Sequence, residues 1–379
     1  MALVPTPTTP TGSDDVSADA QARDLLLRRM ADLAVLPPGR LTAQERNLVD
    51  LVVATGMSRL DVAARKRLAE RVALLPEGPA ELTLMLARDA IEVAAPVLRG
   101  SLRLQPEELV QIIRESDHAH HQAISERKHL PSAVVDALVE HAGVDAHCRV
   151  LANPDAVISN RSLEVLVRRS ATEEVLQPLL LARREMNIML AQLMFWWVSP
   201  EARTEILTRY SVERRMLYTA LDDVLEAGLA ASVKDEGLQS ALSLVRVPLF
   251  ATKQQAVRLI DHATRHSRDE FIAELAFVGR IRSETAYRIF TDLGGEPMAV
   301  FGKAVGMTRV EFTDMLAALA SMRGLDVDEA KSQTLSKARI TKTFDMISND
   351  RADFVLHCWD WAMSTDVHMS ADAQGTGEI

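Results

Sequence analysis

The feature that most constrains this chain is a triplet of apolar residues that returns every 26 to 28 positions through its first half. Anchors at relative positions 0, +3 and +4 recur as Leu82/Met85/Leu86, Leu109/Ile112/Ile113, Val135/Leu138/Val139, Leu163/Leu166/Val167 and Ala191/Met194/Phe195. That spacing is one face of one helical turn, so each unit offers a short amphipathic helix with the same face inward. An apolar residue stands five positions ahead of four of the sets, at Leu104, Leu130, Ile158 and Met186. Beside these sit Pro106, Pro131-Ser132 and Ser159-Asn160, residues suited to a first turn or a cap. A second helix per unit ends at Leu98, Ile124, Leu151 and Leu180, and Pro96 and Pro178 hold the same phase in two of them. Two helices in so short a unit cannot bury their apolar faces alone. Stacking successive units can, which predicts an all-α fold: an α-α superhelix, a HEAT-like short helical-repeat solenoid followed by a second helical-repeat region. An irregular helical bundle with coincident spacing is the competing reading.

Charge and composition narrow the partners. A net charge of -10 and a pI near 5.6 argue against broad affinity for nucleic acid or an anionic membrane. Cys148 and Cys358 form no paired motif, which suits a reducing compartment without a disulfide framework. The most apolar run, residues 188–198, is interrupted by Gln192 and too short to span a bilayer. No basic segment followed by an apolar core opens the chain, so no signal peptide is visible and the expected location is cytoplasmic, without membrane insertion.

In chain order, residues 1–20 mix prolines, threonines and small polar residues without apolar periodicity, and are read as a disordered tail. An N-terminal helical region follows over 21–75. It holds a helix over 19–35, a second opened by the capping box Thr42-Ala-Gln-Glu45 with Leu48, Leu51 and Val52 inward, and a third over 58–74. The solenoid is assigned to 76–198 and a C-terminal helical region to 199–364. Within the latter, helices are expected over 201–210 and 212–231, with a polar link at 232–237. Ala286/Ile289/Phe290 then repeats as Phe312/Met315/Leu316 after 26 residues. Gly294-Gly295 and Gly324 fall between helices. A last helix over 350–363 brings Phe354, Trp359 and Trp361, and 365–379 is read as a flexible tail.

Three passages carry a family resemblance. They are the run 86–99 with its Glu-Val-Ala-Ala-Pro-Val-Leu string, the helix around His121-Gln122-Ala123-Ile124, and Met194-Phe-Trp-Trp-Val-Ser199, with Ala304-Val-Gly-Met307 and Phe312 further on. Together they resemble domain of unknown function 2336 (DUF2336), an uncharacterised alphaproteobacterial family, over roughly 70–330. The resemblance implies a helical-repeat protein of the cytoplasm and supplies no catalytic residues. The string Leu151-Ala-Asn-Pro154 also resembles leucine-rich-variant repeats, another short helical solenoid.

Chemistry is hard to find. His118, His120, His121, His129, His141 and His147 cluster with Cys148, but the first three cannot converge on one face of a helix, so the expectation is helix histidines and no metal. His262 and His266 share a face but lack the glutamate of a zinc-protease helix. No phosphate loop, nucleophile elbow or paired-cysteine motif is present, so the chain is read as non-enzymatic and without a cofactor. Paired arginines recur at 28–29, 168–169, 183–184 and 214–215. Arg168, Arg169, Arg183 and Arg184 form the candidate edge for a protein partner or a small anionic ligand, against the reading that they complement helix dipoles. Trp196 and Trp197 project about 100° apart on a helix. Either the helix opening at Pro200 covers the second ring, or the ring lies in a subunit contact, as in a homodimer. The function these features imply is a non-catalytic adaptor or scaffold that binds a partner protein. A sensor for a small anion, such as a nucleotide second messenger, is the alternative.

Overall fold

The computed structural model describes residues 25, 29, 32–34, 40, 42–57, 60–76, 78–213, 253–265, 267–322 and 329–374. Among them every regular element is a helix, and the only approach to a strand is an isolated parallel bridge between Leu130 and Ala156. No helix among these residues is long and apolar enough to cross a membrane. Packing divides the chain into two units, Met1–Glu185 and Met186–Ile379, so the segment carrying Phe195, Trp196 and Trp197 belongs to the second.

The first unit contains α1 (Ala43–Gly56), α2 (Val62–Val72), α3 (Ala80–Ala87), α4 (Ile91–Gly100), α5 (Pro106–Glu115), α6 (His118–Ser125), α7 (Ser132–His141), α8 (Val144–Ala152), α9 (Asn160–Arg169) and α10 (Leu176–Ala182). Each helix packs on its neighbour in sequence or on the next but one: α1 on α3, α2 on α4, α4 on α6, α5 on α7, α6 on α8, α7 on α9 and α8 on α10. This is the packing order of stacked helix pairs. Of the repeated anchors only Met85 is exposed, at 41%; the rest are buried, as are Leu104, Leu130, Ile158 and Met186.

One expectation for α1 is overturned. Leu48, Leu51 and Val52 face solvent, the first two with 62% and 60% of their surface exposed, while Val49, Val53 and Ala54 turn inward. A polar residue sets that rotation. The first residue before α3 is Pro79, which offers no side-chain cap, and the buried carboxylate of Asp50 takes its place. Asp50 accepts from the backbone N–H of Leu82 (3.0 Å) and of Glu81 (3.2 Å). With Asp50 held inward, Val53 and Ala54, three and four residues on, share its side of the helix, and Leu48 and Val52, about 160° away, cannot. The capping box of Thr42 and Glu45 forms as expected.

The second unit contains α11 (Ile188–Met194), α12 (Pro200–Arg209), α13 (Lys253–Arg265), α14 (Arg268–Gly279), α15 (Ser283–Thr291), α16 (Glu296–Ala304), α17 (Arg309–Met322), α18 (Glu329–Met346) and α19 (Asn349–Gln374). At its centre is α16, buried on all sides from Glu296 to Gly302, as a helix apolar all round must be. It packs on α15, α18 and α19, and α19 also meets α11 and α15. Ala286, Ile289, Phe290, Phe312 and Met315 are all buried, and Leu316 is half-buried. Gly295 joins α15 to α16 with φ of 76°, the left-handed region that favours glycine. The last helix runs past its expected end at residue 363 to Gln374, because neither glycine nor proline interrupts the chain before Gly375. Residues 214–231 of the helix expected over 212–231, the link at 232–237, the tail over 1–20, most of the helix expected over 19–35, Arg28, Arg214, Arg215, His266 and Gly324 lie outside the described residues.

Candidate functional site

The last carbonyls of a helix have no partner within it. In the first unit the turns after α4, α6 and α8 meet this need with side chains from the next turn along. Arg127, after α6, donates to the carbonyls of Leu98 (2.7 Å) and Ser101 (2.6 Å) after α4. Asn153, after α8, donates to the carbonyl of Arg127 (2.8 Å). Arg183, after α10, donates to Asn153 (2.6 Å), Ala156 (2.9 Å) and Leu151 (3.4 Å), and pairs with Glu185 at 2.6 Å. Arg127 and Arg183 stand 56 residues apart, two repeat periods, and do the same work. Burial without a carboxylate partner pulls the Arg127 guanidinium below its ordinary pKa.

A second set of bonds closes each helix pair from inside. His121 of α6 lies with Nε2 2.7 Å from the carbonyl of Ile113, His147 of α8 with Nε2 3.3 Å from that of Leu138, and Gln177 of α10 donates to that of Ser170 at 2.9 Å. His120 is held by the Asp117 carboxylate (2.7 Å) and the Asp89 carbonyl (3.0 Å). The buried members of the histidine cluster therefore tie helix ends together. Among the described residues no group of three or more histidine, cysteine, aspartate or glutamate side chains is placed to hold a metal ion.

The four candidate arginines are not brought together. Arg168 and Arg169 close α9, where Arg168 is exposed and pairs with Glu164 (3.1 Å), and Arg169 lies 3.2 Å from Nε2 of His147. Arg183 and Arg184 follow α10, which returns along α9, so Arg183 meets Ala156 just ahead of the start of α9. Ten helical residues, about 15 Å, separate the two pairs. Arg183 is buried, with 7% of its side chain exposed, whereas Arg184 is exposed. At the phase of Arg184, four residues past the buried end of the second helix, stand Leu102, Lys128 and Asp155, all exposed. His129 and Val157 are exposed in the same set of turns. This strip went unnoticed in the sequence, although Arg127-Lys128 and Arg183-Arg184 share one phase.

In the second unit the aromatic segment packs against the last helix. Phe195 is buried, its ring 5.9 Å from Trp196 in an edge-on contact and 4.8 Å from Trp359 of α19. Trp359 lies 5.0 Å from Trp196, and the Arg288 guanidinium of α15 sits 4.5 Å over the Trp196 ring. Gln192, the polar interruption of the apolar run, accepts from Nε1 of Trp359 (3.0 Å) and donates to the Tyr210 carbonyl (2.8 Å). Trp196 is thus covered by α19 and α15, while the helix opening at Pro200 contributes Arg203 over the Phe195 ring at 5.0 Å. Trp197 is half-buried.

Arg203 also anchors a buried charge cluster. It pairs with Asp292 at 2.9 Å and Glu296 at 3.0 Å, and donates to the Phe195 carbonyl at 3.1 Å. Burial opposes its charge, but the two carboxylates outweigh that and hold its pKa above the ordinary value. Arg339 of α18 meets the other oxygen of Glu296 at 2.7 Å.

Among the described residues the chain is all-α, and in its first unit short helices meet next but one, with buried polar side chains bonded to helix ends. Residues 93–357 match the family described as an uncharacterised protein conserved in bacteria, DUF2336, and the chain belongs to that family. No curated protein and no solved structure matches it.

Proposed function

We propose that this protein is a non-catalytic cytoplasmic adaptor that holds a partner protein along the turn edge of its first unit. The observation that carries this reading is the strip of Leu102, Lys128, His129, Val157 and Arg184, exposed apolar and basic side chains on successive turns, interrupted by the carboxylate of Asp155 beside His129. The turns beneath them are cross-tied by Arg127, Asn153 and Arg183, so the strip is preorganised, and binding to it loses little ordering entropy. Stacked helix pairs commonly use such extended surfaces for partners. That last step is analogy of fold.

The test is native mass spectrometry of the protein purified from its own cells, repeated with Lys128→Glu/Arg184→Glu. A bound polypeptide, or a second copy of the chain, that is lost in the double variant supports the adaptor. No bound polypeptide, with an added mass of several hundred daltons lost in Arg168→Glu/Arg184→Glu, would overturn it in favour of a sensor for a small anion.

A further inference from the structure

The second unit carries a basic groove that the reading above does not use. Arg309 of α17 and Lys337, Ala338, Thr341, Lys342, Asp345 and Met346 of α18 line an open recess of about 680 Å³. A second recess of about 330 Å³ adjoins it, sharing Lys342 and Met346 and reaching Pro200, Thr204 and Thr343. Lys337, Lys342 and Arg309 are exposed. Asp345 balances Arg309 at 3.5 Å, and Arg339 beside the second recess already meets Glu296. Among the described residues, Lys337 and Lys342 are left as the cations facing the groove, in a chain whose net charge is -10.

We infer that this groove binds an extended acidic peptide segment of a partner, with carboxylates at Lys337 and Lys342 and an apolar residue on Met346. The two lysines are five residues apart on α18, about 7.5 Å along its axis and about 140° around it, so they flank the face that carries Thr341 and Asp345. Two cations on opposite flanks of an open recess suit a ligand with more than one carboxylate, and alternate side chains of an extended strand, about 6.6 Å apart, supply that. The lining is apolar at Ala338, beside Lys337, and at Met346, which lies one turn beyond Lys342 and has 39% of its surface exposed. Glu201 bounds the second recess and Asp345 the first, so acidic residues of the ligand are confined to the two lysine positions.

The groove lies in the other unit from the turn edge, and its test is independent of that proposal. The full chain is titrated into a fluorescein-labelled peptide of glutamates spaced by leucines, with the lysine-for-glutamate peptide as control, and anisotropy is followed. Saturable binding of the acidic peptide alone is expected, weakening as salt rises to about 0.15 M. Lys337→Glu/Lys342→Glu should weaken it by about tenfold or more, and Lys337→Ala/Lys342→Ala by less. Lys128→Glu/Arg184→Glu should leave it unchanged. Both lysines are exposed, so the variants keep the fold, which circular dichroism checks. Equal binding by wild type and Lys337→Glu/Lys342→Glu, binding of both peptides alike, or complete displacement by equimolar pyrophosphate would each overturn the assignment.

Discussion

Replacing Arg183 with methionine keeps the aliphatic length and removes every donor. In the native turn its strongest bonds run to the carbonyls of Asn153 and Ala156, at 2.6 and 2.9 Å, with the guanidinium almost wholly buried. Hydrogen bonds to a charged group contribute about 1.5–3 kcal/mol each, and a buried carbonyl left without a donor costs about 1–3 kcal/mol. Removing the buried charge returns part of this, because the guanidinium no longer has to be desolvated. We expect a net loss of about 2–4 kcal/mol for Arg183→Met. Arg184→Met, one residue on and exposed, should stay within about 0.5 kcal/mol of wild type. With an m-value of about 2 kcal/mol per molar urea, the urea midpoint of the first unit should fall by about 1–2 M in Arg183→Met. Far-UV circular dichroism measures the midpoint, and hydrogen exchange across residues 151–157 localises the loss to the turn that Arg183 ties. Arg183→Lys should recover part of the loss, since a point cation can serve one carbonyl but not the fork. If Arg183→Met and Arg184→Met unfold at the same urea concentration, the turn ties contribute nothing and the account of the first unit fails.

Three further outcomes follow from the same geometry. Arg203→Met strips the cation from Asp292 and leaves Glu296 with Arg339 alone, so the second unit should lose about 3–5 kcal/mol in thermal or urea unfolding. An unchanged midpoint would refute the cluster's role. Burial first, and the Arg169 charge second, push the His147 pKa below the ordinary histidine value of 6.5. The unfolded chain then binds the proton more readily, so first-unit stability is full above that value and declines as pH falls toward the lowered one. His147→Gln should flatten this part of the profile, and parallel profiles for the two proteins would count against it. Complete burial pushes the Cys358 thiol up to about 12, so a thiol reagent added to the folded protein should modify the half-buried Cys148 and spare Cys358 until the second unit unfolds. Equal labelling of both, read by peptide mass, would contradict the packing around α19.

What the sequence made legible was apolar periodicity, and what it hid were polar bonds between residues far apart along the chain. Anchors at 0, +3 and +4 announce buried helix faces directly, and all but Met85 are buried, because the hydrophobic effect acts on each helix through its own pattern. The failure at α1 shows the limit of that rule. Leu48, Leu51 and Val52 are the more apolar choice for an inward face, yet the N–H groups of α3 need a carboxylate and Asp50 supplies it from 32 residues earlier. Nothing near Pro79 in the chain reveals that need. The arginine pairs fail in the same way. Arg183 and Arg184 look alike in sequence, but one ties three carbonyls of the preceding turn and the other faces water, a difference visible only once Leu151, Asn153 and Ala156 are placed beside it. Gln192 completes the pattern: an apparent flaw in an apolar run becomes the acceptor for Trp359, 167 positions on. In a protein of stacked short helices, apolar spacing specifies that helices form and which faces pack. Long-range polar bonds then decide which side chains remain at the surface to meet a partner.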